Sequence, residues 1–262
     1  MNEFSQINPN RRALLKGVAS LPLATILANP AFSQEVAASL ETVTTALPNG
    51  DNVTAYLAVP DAIPAPAIML IHEWWGLKDE IKAVAAEYAK EGFLTLAIDL
   101  YKGKVATTVP EALAARNAVF EQRDVSDATV SAWIDWLKTD ERSTGKVATH
   151  GFCFGGGWSL NASILNPVDA TIIYYGNVEK TAEEVASLKG DVLGHFGTQD
   201  RLINPEMVAG FEASMDEAGK TYTIHQYEAS HAFANPTGQA YDEEDAKLAW
   251  ARTLEFLNAK LK

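Results

Sequence analysis

The sequence predicts an α/β protein built on a mostly parallel central sheet with helices on both faces. Three observations lead there. Apolar runs of strand length alternate with amphipathic helical stretches along most of the chain, the pattern of repeated strand–helix–strand units. One such run feeds a helical pattern through a glycine-rich octapeptide, His150-Gly151-Phe152-Cys153-Phe154-Gly155-Gly156-Gly157. A length of 262 residues with 47% hydrophobic content is enough for one large domain with a full core.

Asn10-Arg11-Arg12-Ala13-Leu14-Leu15-Lys16 pairs two arginines with leucines and a lysine, and residues 18–28 are apolar but too short and mild to span a membrane. Ala31-Phe32-Ser33 offers small residues at the two positions a signal peptidase reads. Residues 1–33 therefore resemble a twin-arginine export signal cleaved before Gln34. That predicts a periplasmic or secreted protein whose single folded domain is 34–262, with no membrane span once the signal is removed.

From there the elements follow in order. Residues 41–47 and 52–59, split by Pro48-Asn49-Gly50-Asp51, predict an antiparallel N-terminal hairpin at a sheet edge. Residues 60–66 read as a proline-rich connector. The continuous apolar runs 67–72 and 93–98 predict strands covered on both faces. Between them, 79–91 is helical, with Ile81, Val84, Ala85 and Tyr88 on one face and Gly92 at its end. Residues 110–122 and 126–138 are helical, Trp133, Trp136 and Leu137 giving the second its apolar face. Strands are expected at 146–150, 169–175, 191–196 and 221–227, and helices at 158–164, 181–188, 205–218 and 241–261. Pro205 and Gly219 punctuate one helix, and acidic residues 242–245 open the last, where the helix dipole favours them.

Composition bounds the partners. A formal charge of −13 argues against nucleic acid and anionic membrane. A single cysteine excludes an intramolecular disulfide, so in an oxidising compartment the unpaired thiol needs another reason to be there. No metal-ligand spacing is present, and Gly155-Gly156-Gly157 lacks the G-K-[ST] ending of a phosphate loop, so no metal and no cofactor is expected. His72, His150, His195 and His225 fall within or at the ends of strands and read as structural.

The octapeptide has the form of a nucleophile elbow with cysteine in place of serine. Glycines flank the central residue because there is no room for a Cβ on its neighbours, and a thiol at a helix N-terminus has its thiolate favoured. Taken alone, Cys153 reads equally as a buried cysteine in a packing turn. Parallel strands, however, deliver their following loops to one edge. Two later post-strand loops carry Gly197-Thr198-Gln199-Asp200 and Ala229-Ser230-His231-Ala232-Phe233. Nucleophile, acid, histidine is the chain order of the α/β-hydrolase fold: Cys153 to attack an acyl carbon, His231 to manage the proton, Asp200 to fix the imidazole.

Those loops, together with His72-Glu73-Trp74-Trp75-Gly76, Asp99-Leu100-Tyr101 and Tyr174-Tyr175-Gly176, resemble the dienelactone hydrolase family in order and spacing, from the first hairpin to the last helix. The resemblance implies a Cys153–His231–Asp200 triad, a glutamate at Glu73 that holds the resting thiol, and an oxyanion hole from the backbone N–H groups of Trp74 and Phe154. It implies substrate contacts in the regions of Trp75, Tyr101, Arg116 and Tyr175. It also implies an arginine four residues after the histidine to bind a substrate carboxylate, but that position is Asn235. The expected substrate is thus a small-molecule ester or lactone, bulkier or less charged than a small dianion. The open alternatives are a carboxylesterase or thioesterase on acyclic substrates and a non-catalytic binder that keeps the fold.

Overall fold

The computed structural model describes residues 21–262. Its centre is an eight-stranded sheet of β1 (Glu41–Ala46), β2 (Asn52–Ala58), β3 (Ala65–Ile71), β4 (Leu94–Ile98), β5 (Ser143–Phe152), β6 (Ala170–Tyr174), β7 (Asp191–Gly197) and β8 (Tyr222–Tyr227). The spatial order is β1-β2-β4-β3-β5-β6-β7-β8. β1 and β2 form the expected antiparallel hairpin, β2 joins β4 antiparallel, and every later pairing is parallel. This is the α/β-hydrolase arrangement that the order of motifs predicts.

The helices are α1 (Leu23–Ala28), α2 (Pro30–Ala37), α3 (Asp79–Lys90), α4 (Val109–Glu121), α5 (Arg123–Thr139), α6 (Phe154–Leu165), α7 (Ala182–Val185), α8 (Pro205–Glu217) and α9 (Glu243–Leu261). They cover both faces, and β3 shows why its sequence is apolar at every position. Ile68 and Leu70 point to the layer where α3 and α9 bury Ile81, Val84, Tyr88, Ala249 and Leu257. Ala67, Met69 and Ile71 point the other way, into the layer where α5 and α6 bury Val130, Trp133, Leu137 and Trp158. Each fully buried large side chain contributes about 1.5–3 kcal/mol relative to exposure. The two layers therefore fix which way every strand end faces.

Several boundaries differ from the sequence expectation. The connector after β2 is shorter, because Ala65 and Pro66 already belong to β3, with the Ala65 N–H donating to the Arg142 carbonyl at 2.9 Å. The helix expected at 181–188 contracts to the single turn α7, closed by a reciprocal Thr181–Glu184 capping box. β5 runs on to Phe152 and α6 starts at Phe154, so Gly155, Gly156 and Gly157 are helical rather than loop. Glycine's poor helix propensity hides that start in the sequence.

Residues 21–33, assigned to the leader from the sequence, are folded: Ile26, Leu27 and Ser33 are buried, and Ile26 and Leu27 pack in the same layer as α3. The paired arginines Arg11 and Arg12 lie outside the described residues. Among the described residues no helix is long and apolar enough to cross a membrane.

Candidate active site

The carboxyl ends of the parallel strands converge on one rim. Only Cys153 separates β5 from α6, and this residue carries the turn at φ 54°, ψ −115°, a region costing an L-residue on the order of 1–3 kcal/mol. Surrounding structure holds it there. The Cys153 N–H donates to the Tyr174 carbonyl at 2.9 Å. A Cβ at Gly151 would lie 2.1 Å from the Gly155 carbonyl oxygen, and one at Gly155 would lie 2.3 Å from that of Ile71. These glycines let strand and helix approach closely enough to form the elbow.

Three expected side chains come together at this point. His231 Nε2 is 3.1 Å from Cys153 Sγ, and His231 Nδ1 is 2.7 Å from Asp200 Oδ2. The other Asp200 oxygen accepts from the N–H groups of Leu202 at 2.8 Å and Ile203 at 3.0 Å. Burial pushes the Asp200 carboxyl up, but the bonds from His231, Ile203 and Leu202 outweigh it and hold the group below its usual value. Burial likewise pulls the His231 imidazolium down, yet its bonds to Asp200 and Cys153 leave it well above its ordinary value. An ionised Asp200 fixes the proton on Nδ1. That leaves Nε2 to exchange a proton with sulfur.

The N–H groups of Trp74 and Phe154 have no acceptor among the described residues. Two supports hold the Trp74 loop in place. His72 Nε2 accepts from the Leu100 N–H at 3.1 Å, so its proton sits on Nδ1 and faces the Glu73 carbonyl at 2.6 Å. The Tyr101 hydroxyl donates to the Trp74 carbonyl at 3.1 Å. Tyr101, expected to contact substrate, thus has its hydroxyl committed to the backbone of the neighbouring loop.

Glu73 takes a partner that the sequence did not indicate. Its carboxylate accepts from Asn235 Nδ2 at 3.0 Å instead of bonding to the thiol. Burial raises the Glu73 carboxyl to about 7, against the pull of His231, Lys78 and Asn235. Tyr175, at φ 39°, packs edge-on against the His231 ring with centroids 5.3 Å apart, and its buried hydroxyl has no partner among the described residues.

A cavity of about 850 Å³ opens beside this group, lined by Glu73, Trp75, Tyr175 and Asn235 together with Leu27 of α1 and Trp250 of α9. Arg116 is exposed outside that lining, its guanidinium 5.2 Å above the Phe120 ring. Leu27 and Trp250 went unread as site residues, since nothing in a leader-like segment or an amphipathic final helix marks a pocket wall. Among the described residues no cluster of His, Cys, Asp or Glu is arranged to hold a metal ion. The remaining histidines are not part of the site: His195 bridges the Tyr227 and Thr253 hydroxyls, His225 stacks on His195, and His150 is buried among aromatic rings.

Comparison with known proteins places this geometry in context. Residues 53–261 match the model of the dienelactone hydrolase family. Protein usf of Aquifex pyrophilus is 32% identical over 222 residues, covering 81% of this chain and 96% of that protein. Carboxymethylenebutenolidase 1 of Cupriavidus pinatubonensis is 27% identical, covering 80% and 92% respectively. Among solved structures, a dienelactone hydrolase-like promiscuous phosphotriesterase from metagenomic libraries superposes with a TM-score of 0.77 at 20% identity, covering 85% of this chain and 99% of that one.

Proposed function

The chain belongs to the dienelactone hydrolase family and is a hydrolase; from that premise we propose that it cleaves an uncharged ester or lactone through an acyl-cysteine intermediate. The observation that carries this reading is the continuous Cys153–His231–Asp200 hydrogen-bond chain of 3.1 and 2.7 Å. Cys153 Sγ, its proton already passed to His231 Nε2 as the raised imidazolium value favours, attacks the acyl carbon. Charge developing on the carbonyl oxygen is met by the Phe154 and Trp74 N–H groups, which have no other acceptor among the described residues. His231 then protonates the departing alkoxide, draws a proton from a water that attacks the acyl-sulfur carbon, and returns that proton to sulfur. Asp200 keeps the imidazole in the tautomer that both steps require.

Asn235 supports the uncharged substrate. A side-chain amide stands where a carboxylate-binding arginine is implied, and it is already bonded to Glu73. Lys78 and Lys247, the cations lining the cavity, are paired with Glu80 and Glu243. The test is turnover of a carboxylated dienelactone, a neutral lactone and an aryl ester by wild type and Cys153→Ala. Wild type is expected to prefer the neutral substrates, and the variant to lose at least about a thousandfold in kcat with an unchanged circular-dichroism spectrum. Equal turnover by the variant defeats the mechanism, and a preference for the dienelactone carboxylate defeats the substrate assignment.

We further propose export to the periplasm or beyond through the twin-arginine stretch at Arg11 and Arg12. Cleavage before Gln34 requires α2 to open, because Ser33 is fully buried and its hydroxyl donates to the Ile26 carbonyl at 2.9 Å. Arg11→Lys with Arg12→Lys is expected to retain the protein in the cytoplasm. Unchanged export overturns the assignment.

A further inference from the structure

Trp74 and His231 stand on loops that leave strands far apart in the sheet. Trp74 follows β3 and His231 follows β8, with β5, β6 and β7 between them, so the two strand ends are roughly 19 Å apart at about 4.8 Å per strand. The sheet sets the root of each loop but not where its tip lies against the other. On its β4 side the Trp74 loop is fastened at several points. The Leu100 N–H donates to His72, the Tyr101 hydroxyl to the Trp74 carbonyl, and the Ala106 N–H to the Trp75 carbonyl at 2.9 Å. Toward His231 it has a single hold. Among the described residues, the one hydrogen bond joining residues 72–78 to residues 228–242 runs from Asn235 Nδ2 to Glu73 Oε2, at 3.0 Å.

That bond is set up from the Asn235 side. Asn235 Oδ1 accepts from both the N–H and the hydroxyl of Thr237, at 2.9 and 2.8 Å, which turns the amide nitrogen toward Glu73. An amide so oriented is a donor, and a carboxyl oxygen is its matching acceptor. The backbone is held as well: the Asn235 N–H donates to the Ala232 carbonyl at 3.0 Å, and the Gly238 N–H to the Asn235 carbonyl at 3.0 Å. Asn235 is thereby anchored to Ala232, the residue next to His231, and grips Glu73, the residue next to Trp74.

We propose that Asn235, braced by Thr237, is a positioning residue: through Glu73 it holds the Trp74 N–H in register with the Cys153–His231 pair. The inference rests on the proposed acyl-cysteine chemistry for what that register does, because a donor stabilises charge on the reacting carbonyl oxygen only from a fixed, short distance. The tie between the two loops is independent of the chemistry.

Asn235→Leu and Glu73→Leu each remove the bond. With p-nitrophenyl acetate each is expected to lower kcat about tenfold while KM moves less than about twofold. The double variant is expected to lose no more than either alone, because the two side chains act as one unit. Glu73→Gln keeps an oxygen for Asn235 Nδ2 and is expected to recover most of what Glu73→Leu loses. Alkylation of Cys153 by iodoacetamide needs no oxyanion donor, so its rate in Asn235→Leu is expected to stay within about twofold of wild type. Losses that multiply in the double variant, or alkylation that falls in parallel with kcat, overturn the proposal.

Hydrogen exchange reads the tie without a substrate. Amides 73–77 are expected to exchange at least about fivefold faster in Asn235→Leu than in wild type, with those of β3 unchanged. Unchanged exchange overturns the tie even where esters are cleaved. Faster exchange in a protein whose wild type cleaves no ester supports the tie and defeats the ester reading instead.

Discussion

The two halves of the site are built differently. The Cys153, His231 and Asp200 side chains are all bonded, at 2.7–3.1 Å, and the backbone is so close that glycines are required. Across the rim, around Glu73, Asn235 and Tyr175, a carboxyl sits far above its usual value, a hydroxyl has no partner, and a large cavity adjoins both. The first half is complete within the chain itself, as the proposed acyl transfer would require of groups held in a fixed geometry. The second is held by a single carboxyl–amide bond and borders open space.

Asp200→Asn breaks this contrast most severely. The amide would offer an N–H to Nδ1 and push the imidazole toward the wrong tautomer, while keeping the bonds from Leu202 and Ile203. A loss of kcat of at least about a thousandfold is expected, with little change in KM or unfolding midpoint. A loss confined to KM would move Asp200 out of the complete half.

Next comes Gly155→Ala, which tests whether close packing rather than loop chemistry makes the elbow. The added Cβ would meet backbone atoms of Ile71 and His72 at 2.3–2.8 Å, and β3 cannot move away without disturbing the sheet. Destabilisation by more than about 3 kcal/mol is expected in urea unfolding. Gly210→Ala in α8 is the matched control: its Cβ meets nothing within 4 Å, and removing a helix-interior glycine is expected to stabilise by roughly 0.5–1 kcal/mol.

These two tests bear on what could be read from the chain alone. The elbow was legible because it is local: Gly151, Cys153 and Gly155 fall within five residues, and strand order brings Asp200 and His231 to the same rim. The start of α6 was not, since the glycines demanded by packing against Ile71 oppose helix propensity. The incomplete half was illegible for another reason. Asn235 bonds to a glutamate 162 residues away, and Tyr101 spends its hydroxyl on the Trp74 carbonyl, pairings that no periodicity encodes. Leu27 was hidden because an export-like composition and a pocket wall use the same apolar residues.

Glu73→Gln probes the incomplete half through its pH dependence. The folded-state value of about 7 lies above the ordinary 4.5, so the unfolded chain ionises first. The favourable contribution of this carboxyl is therefore intact below pH 4.5 and lost as pH rises to 7, roughly 2–3 kcal/mol in total. The stability of Glu73→Gln relative to wild type should rise by that amount between pH 4.5 and 8, measured by urea unfolding at both. A difference that does not vary with pH would mean that Glu73 is as well supported as Asp200, and the contrast would vanish.

The smallest change is expected from Asn235→Arg, and it is the most direct test of what the open half selects. Asn235 Oδ1 accepts from the Thr237 N–H at 2.9 Å and from its hydroxyl at 2.8 Å, so the substitution loosens an exposed turn by about 1 kcal/mol. In exchange it places a permanent cation beside Glu73, which lowers that carboxyl from about 7 and shrinks the pH effect described for Glu73→Gln. The cation also offers a partner to a substrate carboxylate, while the Cys153 chain is untouched. The kcat/KM ratio for a carboxylated over a neutral lactone should rise about tenfold, the effect of one partly solvated charge-assisted bond of roughly 1.4 kcal/mol. An unmoved ratio would mean that the substrate lies away from Asn235, and that the amide serves only to hold Glu73.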